Sequence, residues 1–188
     1  MLTPAQRVLR LINNRFKRFG GEKYTINEPT TILNHSLQVA QYIQFNMGGT
    51  PEEIVAGLLH DYGHISDFEP IAPEKGLDDR HEYVGAKALS DLGFPPAITV
   101  PISLHVQAKR YLVSVDPTYR LSKGSELSLK LQGGKMSPME IEKFESNPYY
   151  TSALFLRIAD DHGKSSRVNI KSILSYQDYI TYVLKTRK

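Results

Sequence analysis

The stretch GLLHDYGH, residues 57–64, places two histidines and an aspartate at the end of an apolar run. Imidazole nitrogen and carboxylate oxygen are the donors of metal sites built without thiolate, and the adjacent pair His60 and Asp61 can reach one ion where a helix ends. The same residues also suit a helix end that is merely polar, so partners elsewhere in the chain decide the matter. Candidates are His35 in ILNHSLQVA, His81 in DRHEYVG, His105 in ISLHVQAK and Asp160 in FLRIADDHG. A single helical histidine more often makes an ordinary polar contact than a metal bond. Asp61 and Asp160 are harder to dismiss, because a carboxylate among apolar neighbours is costly unless a hydrogen bond or a cation answers it. Four histidines and two aspartates exceed what one tetrahedral ion requires, and they suit two ions sharing a carboxylate. Without cysteine, thiolate ligands, disulfides and a cysteine nucleophile are excluded together.

The elements that must position these residues are helical. Apolar residues recur at helical spacing in PAQRVLRLINNRF, TTILNHSLQVAQYIQFN, PEEIVAGLLHD, HEYVGAKALSDLG, PAITVPISLHVQAKRYLVS, YYTSALFLRIADDHG and NIKSILSYQDYITYVL. Thr50, Pro51 and Glu53 form a helix start with a capping box, and Ser137, Pro138 and Glu140 repeat it. Strand-like alternation is scarce, so the expected fold is an all-α bundle, with residues 1–188 as one domain. Two long non-periodic segments, residues 64–80 and 115–136, read as loops; loops of that length usually build a site.

Composition narrows the partners. The net charge of +3 arises from 23 basic and 20 acidic residues spread along the chain, with neither a basic run nor an aromatic-basic repeat. That pattern argues against nucleic acid and favours a small anion. No apolar stretch reaches membrane-spanning length and the first twenty residues lack a signal peptide's apolar core, so the expected setting is the cytoplasm with no membrane partner.

The pattern H...HD...D makes the chain similar to the HD-domain superfamily of helical metalloproteins. The segments YTINEPTTILNH, LLHDYGH, RHEYVGA, HVQAKRYLVS, LSKGS, LQGGKM and LRIADDHGK further resemble the PhnZ-type diiron oxygenases, over roughly residues 20 to 165. The resemblance implies that His35, His60, Asp61 and Asp160 hold one iron, that His81 and His105 hold the second, and that Asp61 bridges. It implies a mixed-valence Fe(II)/Fe(III) pair, dioxygen as co-substrate, and oxidative cleavage of a carbon-phosphorus bond. The competing class is an HD-domain phosphohydrolase, which would use metal-bound water and consume no oxygen.

Five more residues take roles in this reading. Lys109 lies one helical turn after His105, on the same face, where its ammonium suits a phosphonate; the alternative is a snorkelling surface lysine. Arg110 faces elsewhere and reads as structural. The resemblance assigns Ser125 to phosphonate oxygens, Tyr24 to an open iron position in the resting enzyme, and Glu28 to the cationic nitrogen of the substrate. His64 would donate a proton or hydrogen bond to the bound hydroxyl or phosphonate. The substrate is expected to be a small zwitterionic hydroxyphosphonate. Glu28 suits both a primary ammonium, giving glycine, and a trimethylammonio group, giving glycine betaine. A quaternary cation relies on charge and aromatic faces, and Tyr24, Tyr62, Phe68 and Tyr83 stand in segments expected to border the site. This favours (R)-1-hydroxy-2-(trimethylammonio)ethylphosphonate.

Overall fold

Residues Pro51–Leu59 are apolar almost all round, which suits a helix surrounded by others rather than one on a surface. In the computed structural model, which describes residues 1–24, 28–66, 78–165 and 170–186, this segment is helix α3. Its Ile54, Val55, Ala56, Leu58 and Leu59 are all buried. It packs against α2 (Ile32–Tyr42), α5 (Pro96–Val115), α8 (Tyr150–His162) and α9 (Gln177–Lys185). Full burial of each leucine contributes roughly 1.5–3 kcal/mol, so α3 anchors the bundle. Gly57 lies at the crossing with α2, where a β-carbon would stand 3.2 Å from Val39 Cγ1 and 3.5 Å from Ala40 Cα.

The remaining helices are α1 (Pro4–Phe19), α4 (His81–Asp91), α6 (Lys123–Leu131) and α7 (Pro138–Glu145). Short helical turns at Ile43–Met47, Tyr62–Ile65 and Ile173–Tyr176 join them, and no strand occurs among the described residues. The fold is all-α, as its periodicity predicts. Thr50 with Glu53 and Ser137 with Glu140 form complete capping boxes, so local chemistry sets where α3 and α7 begin. No helix among the described residues is long and apolar enough to cross a membrane.

The second expected loop, residues 115–136, needs correction, because its middle is α6, begun by the Ser122 side chain accepting from the Ser125 N–H. The helix escaped a reading by periodicity because it is short and buries Ser125 instead of its leucines: Leu127 and Leu131 stay exposed. Ser125 is therefore a helical residue and not a loop serine. Gly133 and Gly134 follow with φ of 96° and 70°, a region open to glycine at little cost. Arg110 Nε donates to Gly134 O at 2.9 Å and its guanidinium pairs with Glu140 at 2.7 Å. Arg110 is thus structural, fastening this turn to α5. Of the first expected loop, residues 67–77, Phe68 included, lie outside the described residues.

Candidate metal centre

The end of α3, the first turn of α2 and the last turn of α8 converge on one buried point. Nε2 of His35 and Nε2 of His60 stand 3.1 Å apart. Asp61 Oδ2 lies 3.5 Å from the first and 3.2 Å from the second, and Asp160 Oδ1 lies 3.2 Å from His35 Nε2. A second cluster adjoins it: Nε2 of His81, at the start of α4, and Nε2 of His105, on α5, are 3.2 Å apart. Asp61 Oδ1 is 3.4 Å from His81 and 3.8 Å from His105. Each oxygen of one carboxylate therefore faces its own pair of histidines.

The other ring nitrogen of each histidine fixes its chemistry. Nδ1 of His35 donates to Gly163 O at 2.9 Å, Nδ1 of His60 to Gly57 O at 2.9 Å, and Nδ1 of His105 to Ile102 O at 2.8 Å. His81 Nδ1 donates to Asp79 Oδ1 at 2.8 Å. Carbonyl oxygens only accept, so Nδ1 carries a proton in His35, His60 and His105, and each ring turns Nε2 inward, where a metal cation can take the place of a proton. Gly163 makes one of these contacts possible, since a β-carbon there would meet His35 Nδ1 at 2.9 Å.

Two lone pairs facing each other at about 3.1 Å repel unless a cation lies between them. The carboxylates raise the same demand: Asp61 Oδ1 and Oδ2 and Asp160 Oδ1 are buried without a hydrogen-bond donor. A buried oxygen of this kind costs several kcal/mol if nothing answers it. Donor separations of 3.1–3.9 Å match the edges of a coordination polyhedron whose bonds are near 2.1 Å. The residues present thus fit two cations sharing Asp61. Burial opposes the charge of Asp61, yet the His60, His64 and His81 rings hold its carboxyl well below the usual range. Burial, then His81 and His60, push His105 well below an ordinary imidazole, which keeps its lone pair available.

On one side of this centre the Tyr24 ring stacks on His35, with centroids 4.0 Å apart and planes 25° from parallel. Burial first, then the Asp61 and Asp160 carboxylates, raise its phenol well above the usual value. Tyr24 N–H donates to Thr30 O at 3.0 Å, closing the loop that carries Glu28. Glu28 Oε1 is buried with no hydrogen-bond partner among the described residues. Tyr62 packs into the hydrophobic core and Tyr83 is half exposed, its hydroxyl accepting from Gln107 at 2.8 Å. Of the aromatic candidates described, Tyr24 alone has its ring against the centre.

On the other side lies a cluster of cations. Lys109 is buried on α5, as its spacing from His105 predicts, and its ammonium donates to Ser128 Oγ at 2.8 Å. Burial, then Arg157, lower its pKa to about 7. Ser125 Oγ accepts from Lys164 Nζ at 3.0 Å and lies 3.4 Å from an Arg157 nitrogen. Arg157 is buried and pairs with both Asp160 and Asp161. Three cations and two hydroxyls thus gather beside the donors, with Arg157 and Lys164 paired to Asp160 and Asp161.

Sequence reasoning missed Arg157, Lys164 and Asp79. The first two stand three residues before and four after Asp160, so helical spacing from a candidate ligand was the available signal. Asp79 accepts from a candidate ligand and lies 3.3 Å from His64 Nδ1. It sits in the segment read as a loop, with only its position two residues before His81 to mark it.

The chain is similar to known proteins. Residues 32–161 match the HD domain family. The chain is 42% identical, over 84% of its length and 80% of the relative's, to a protein of Leisingera caerulea named [1-hydroxy-2-(trimethylamino)ethyl]phosphonate dioxygenase (glycine-betaine-forming). It is 38% identical, over 97% of its length and 90% of the relative's, to the hydroxymethylphosphonate dioxygenase of Gimesia maris. An uncharacterized protein of Acanthamoeba polyphaga mimivirus is 34% identical over 89% of this chain and 77% of its own.

Proposed function

The chain belongs to the HD-domain family, among relatives named phosphonate dioxygenases, and from that kinship we propose that it oxidatively cleaves the carbon-phosphorus bond of (R)-1-hydroxy-2-(trimethylammonio)ethylphosphonate. The products would be glycine betaine and phosphate. Substrate and dioxygen together carry two more oxygen atoms than the substrate alone, and the products contain both. One completes the carboxylate and the other replaces carbon on phosphorus. Carbon 1 gives up the electrons, dioxygen accepts them, and no organic reductant is needed.

The observation that carries the reading is Asp61, whose two buried oxygens lack hydrogen-bond donors and face separate histidine pairs. His35, His60, Asp61 and Asp160 would hold one iron and His81, His105 and Asp61 the other. When bound as Fe(II)/Fe(III), the pair would supply dioxygen activation and the one-electron chemistry that carbon-hydrogen cleavage requires. The protein's own part is placement. Lys109 and Ser125, with Arg157 and Lys164 behind them, would receive the phosphonate oxygens through charge-assisted hydrogen bonds. His64 would hold the hydroxyl or a phosphonate oxygen from the opposite side. Tyr24, stacked beside the donors, would cover an open position until substrate replaces it. Glu28 would answer the quaternary nitrogen, for which an unpaired buried carboxylate oxygen is suited. The same oxygen suits a primary ammonium, so (R)-1-hydroxy-2-aminoethylphosphonate, yielding glycine, is the second reading.

The experiment is anaerobic and aerobic turnover of the iron-loaded protein. Oxygen consumed and phosphate released should be equal. With labelled dioxygen, one labelled atom should appear in each product. Sustained phosphate release without oxygen would replace this reading with metal-dependent hydrolysis.

A further inference from the structure

We propose that Asp79 is a positioning residue, one carboxylate outside the donor set that holds His64 and His81 as a parallel pair and thereby aims His64 at the second metal position. The proposal rests on the oxygenase reading only for what His64 meets there. Asp79 Oδ1 accepts from His81 Nδ1 at 2.8 Å and from the His81 backbone N–H at 3.2 Å. Its Oδ2 lies 3.3 Å from His64 Nδ1. The two imidazoles stack with centroids 4.3 Å apart and planes 19° from parallel. With both Nδ1 atoms turned to the same nearly buried carboxylate, each ring has its Nε2 left for the centre. A His64 nitrogen, an Asp61 oxygen and a His81 nitrogen do lie within 4.8 Å of one another.

The backbone is shaped around this arrangement at three places. Arg80, between Asp79 and His81, adopts φ 50°, where a residue with a β-carbon is strained by roughly 1–2 kcal/mol; this turn brings the Asp79 side chain back over His81. A β-carbon on Gly63 would sit 2.1 Å from His81 O, and one on Gly85 would sit 2.7 Å from Gly63 N. The turn carrying His64 and the start of α4 therefore meet backbone to backbone, and only that approach allows the rings to stack. With Nδ1 turned to Asp79, His64 presents its other ring nitrogen to an oxygen held beside His81. Support for His81 alone would need neither the second oxygen nor the stacked partner.

The test uses the full-length, metal-loaded chain and its Asp79→Asn, His64→Ala and doubly substituted forms at saturating metal. If Asp79 acts through His64, each single substitution should lower kcat roughly 10- to 100-fold. The double variant should then be no slower than His64→Ala, with metal content unchanged. Losses that multiply in the double variant would overturn the proposal, as would wild-type turnover in Asp79→Asn. A second measurement needs neither turnover nor a variant: nitrogen NMR of histidine-labelled, zinc-loaded protein should show the His64 Nδ1 protonated. An unprotonated Nδ1 would overturn the proposal. A wild-type protein inert toward every hydroxyphosphonate, but with that Nδ1 signature, would reject the oxygenase reading and leave the Asp79 assignment standing.

Discussion

The Tyr24 ring lies face to face with the His35 imidazole, centroids 4.0 Å apart, beside the donor cluster. Stacking needs the ring and a metal contact needs the oxygen, so one substitution separates them. Tyr24→Phe should keep the fold and the metals. It should abolish any phenolate-to-iron absorption band and tighten substrate binding, because a competing ligand is gone. Weaker binding with the band retained would show that Tyr24 serves only as a wall of the site.

Asp61 offers a sharper contrast, since its Oδ2 faces His60 at 3.2 Å and its Oδ1 faces His81 at 3.4 Å. Asp61→Asn replaces one anionic oxygen by an amide that cannot bridge. Elemental analysis should fall from about two metals per chain to one or none. Any mixed-valence electron paramagnetic resonance signal should vanish with them. An Asp61→Asn protein with two coupled irons would refute the shared-carboxylate assignment.

How much of this the sequence announced depends on whether each interaction is local. Thr50 with Glu53 and Ser137 with Glu140 are caps written within four residues, and the helices begin where they say. The ligand candidates were legible because buried acids and histidines at the ends of apolar runs are chemically expensive. The Asp79 contact was not, because it depends on the left-handed turn at Arg80, which no periodicity encodes. Arg157 is one helical turn before Asp160 and Asp161, so the pairing is local, but an arginine beside two acids on a helix reads equally well as a solvated surface pair until its burial is known. Helix α6 was hidden because its buried residue is a serine, while Leu127 and Leu131 face solvent.

Lys109 makes a prediction about pH. Its folded pKa is lowered to about 7, chiefly by burial, from an unfolded value of 10.5. The charged form is the one folding penalises, so the penalty is fully present below pH 7. Between pH 7 and 10.5 the unfolded chain binds the extra proton, and stability rises with pH by up to about 1.4 kcal/mol per unit. Lys109→Met should therefore stabilise the metal-free protein most at pH 6, with the gain shrinking toward pH 10, as read from thermal midpoints. The same substitution should weaken hydroxyphosphonate binding by about 1.5–3 kcal/mol through loss of one charge-assisted hydrogen bond. Equal gains in midpoint at both ends of the range would mean that the ammonium is not desolvated.

In the proposed reading, Glu28 would select what the substrate carries beyond its phosphonate. The two named relatives differ at that end: the substrate of one bears a quaternary nitrogen, and hydroxymethylphosphonate bears none. An oxygen of Glu28 is buried without a hydrogen-bond partner among the described residues, in the loop that Tyr24 and Thr30 close. A cation relieves that unpaired charge, whereas a neutral substrate leaves it buried and costly. kcat/KM should therefore rank the (R)-trimethylammonio compound first, the amino compound second and hydroxymethylphosphonate last. Glu28→Gln removes the charge and keeps the shape. It should lower kcat/KM for both cationic substrates roughly 10- to 100-fold, equivalent to about 1.4–2.8 kcal/mol, with hydroxymethylphosphonate turnover and iron content unchanged. If Glu28→Gln slowed all three equally, the carboxylate would be supporting the loop and not the cation. If the primary amine ranked first, glycine would replace glycine betaine as the product, with the assignments at Asp61 and Lys109 untouched.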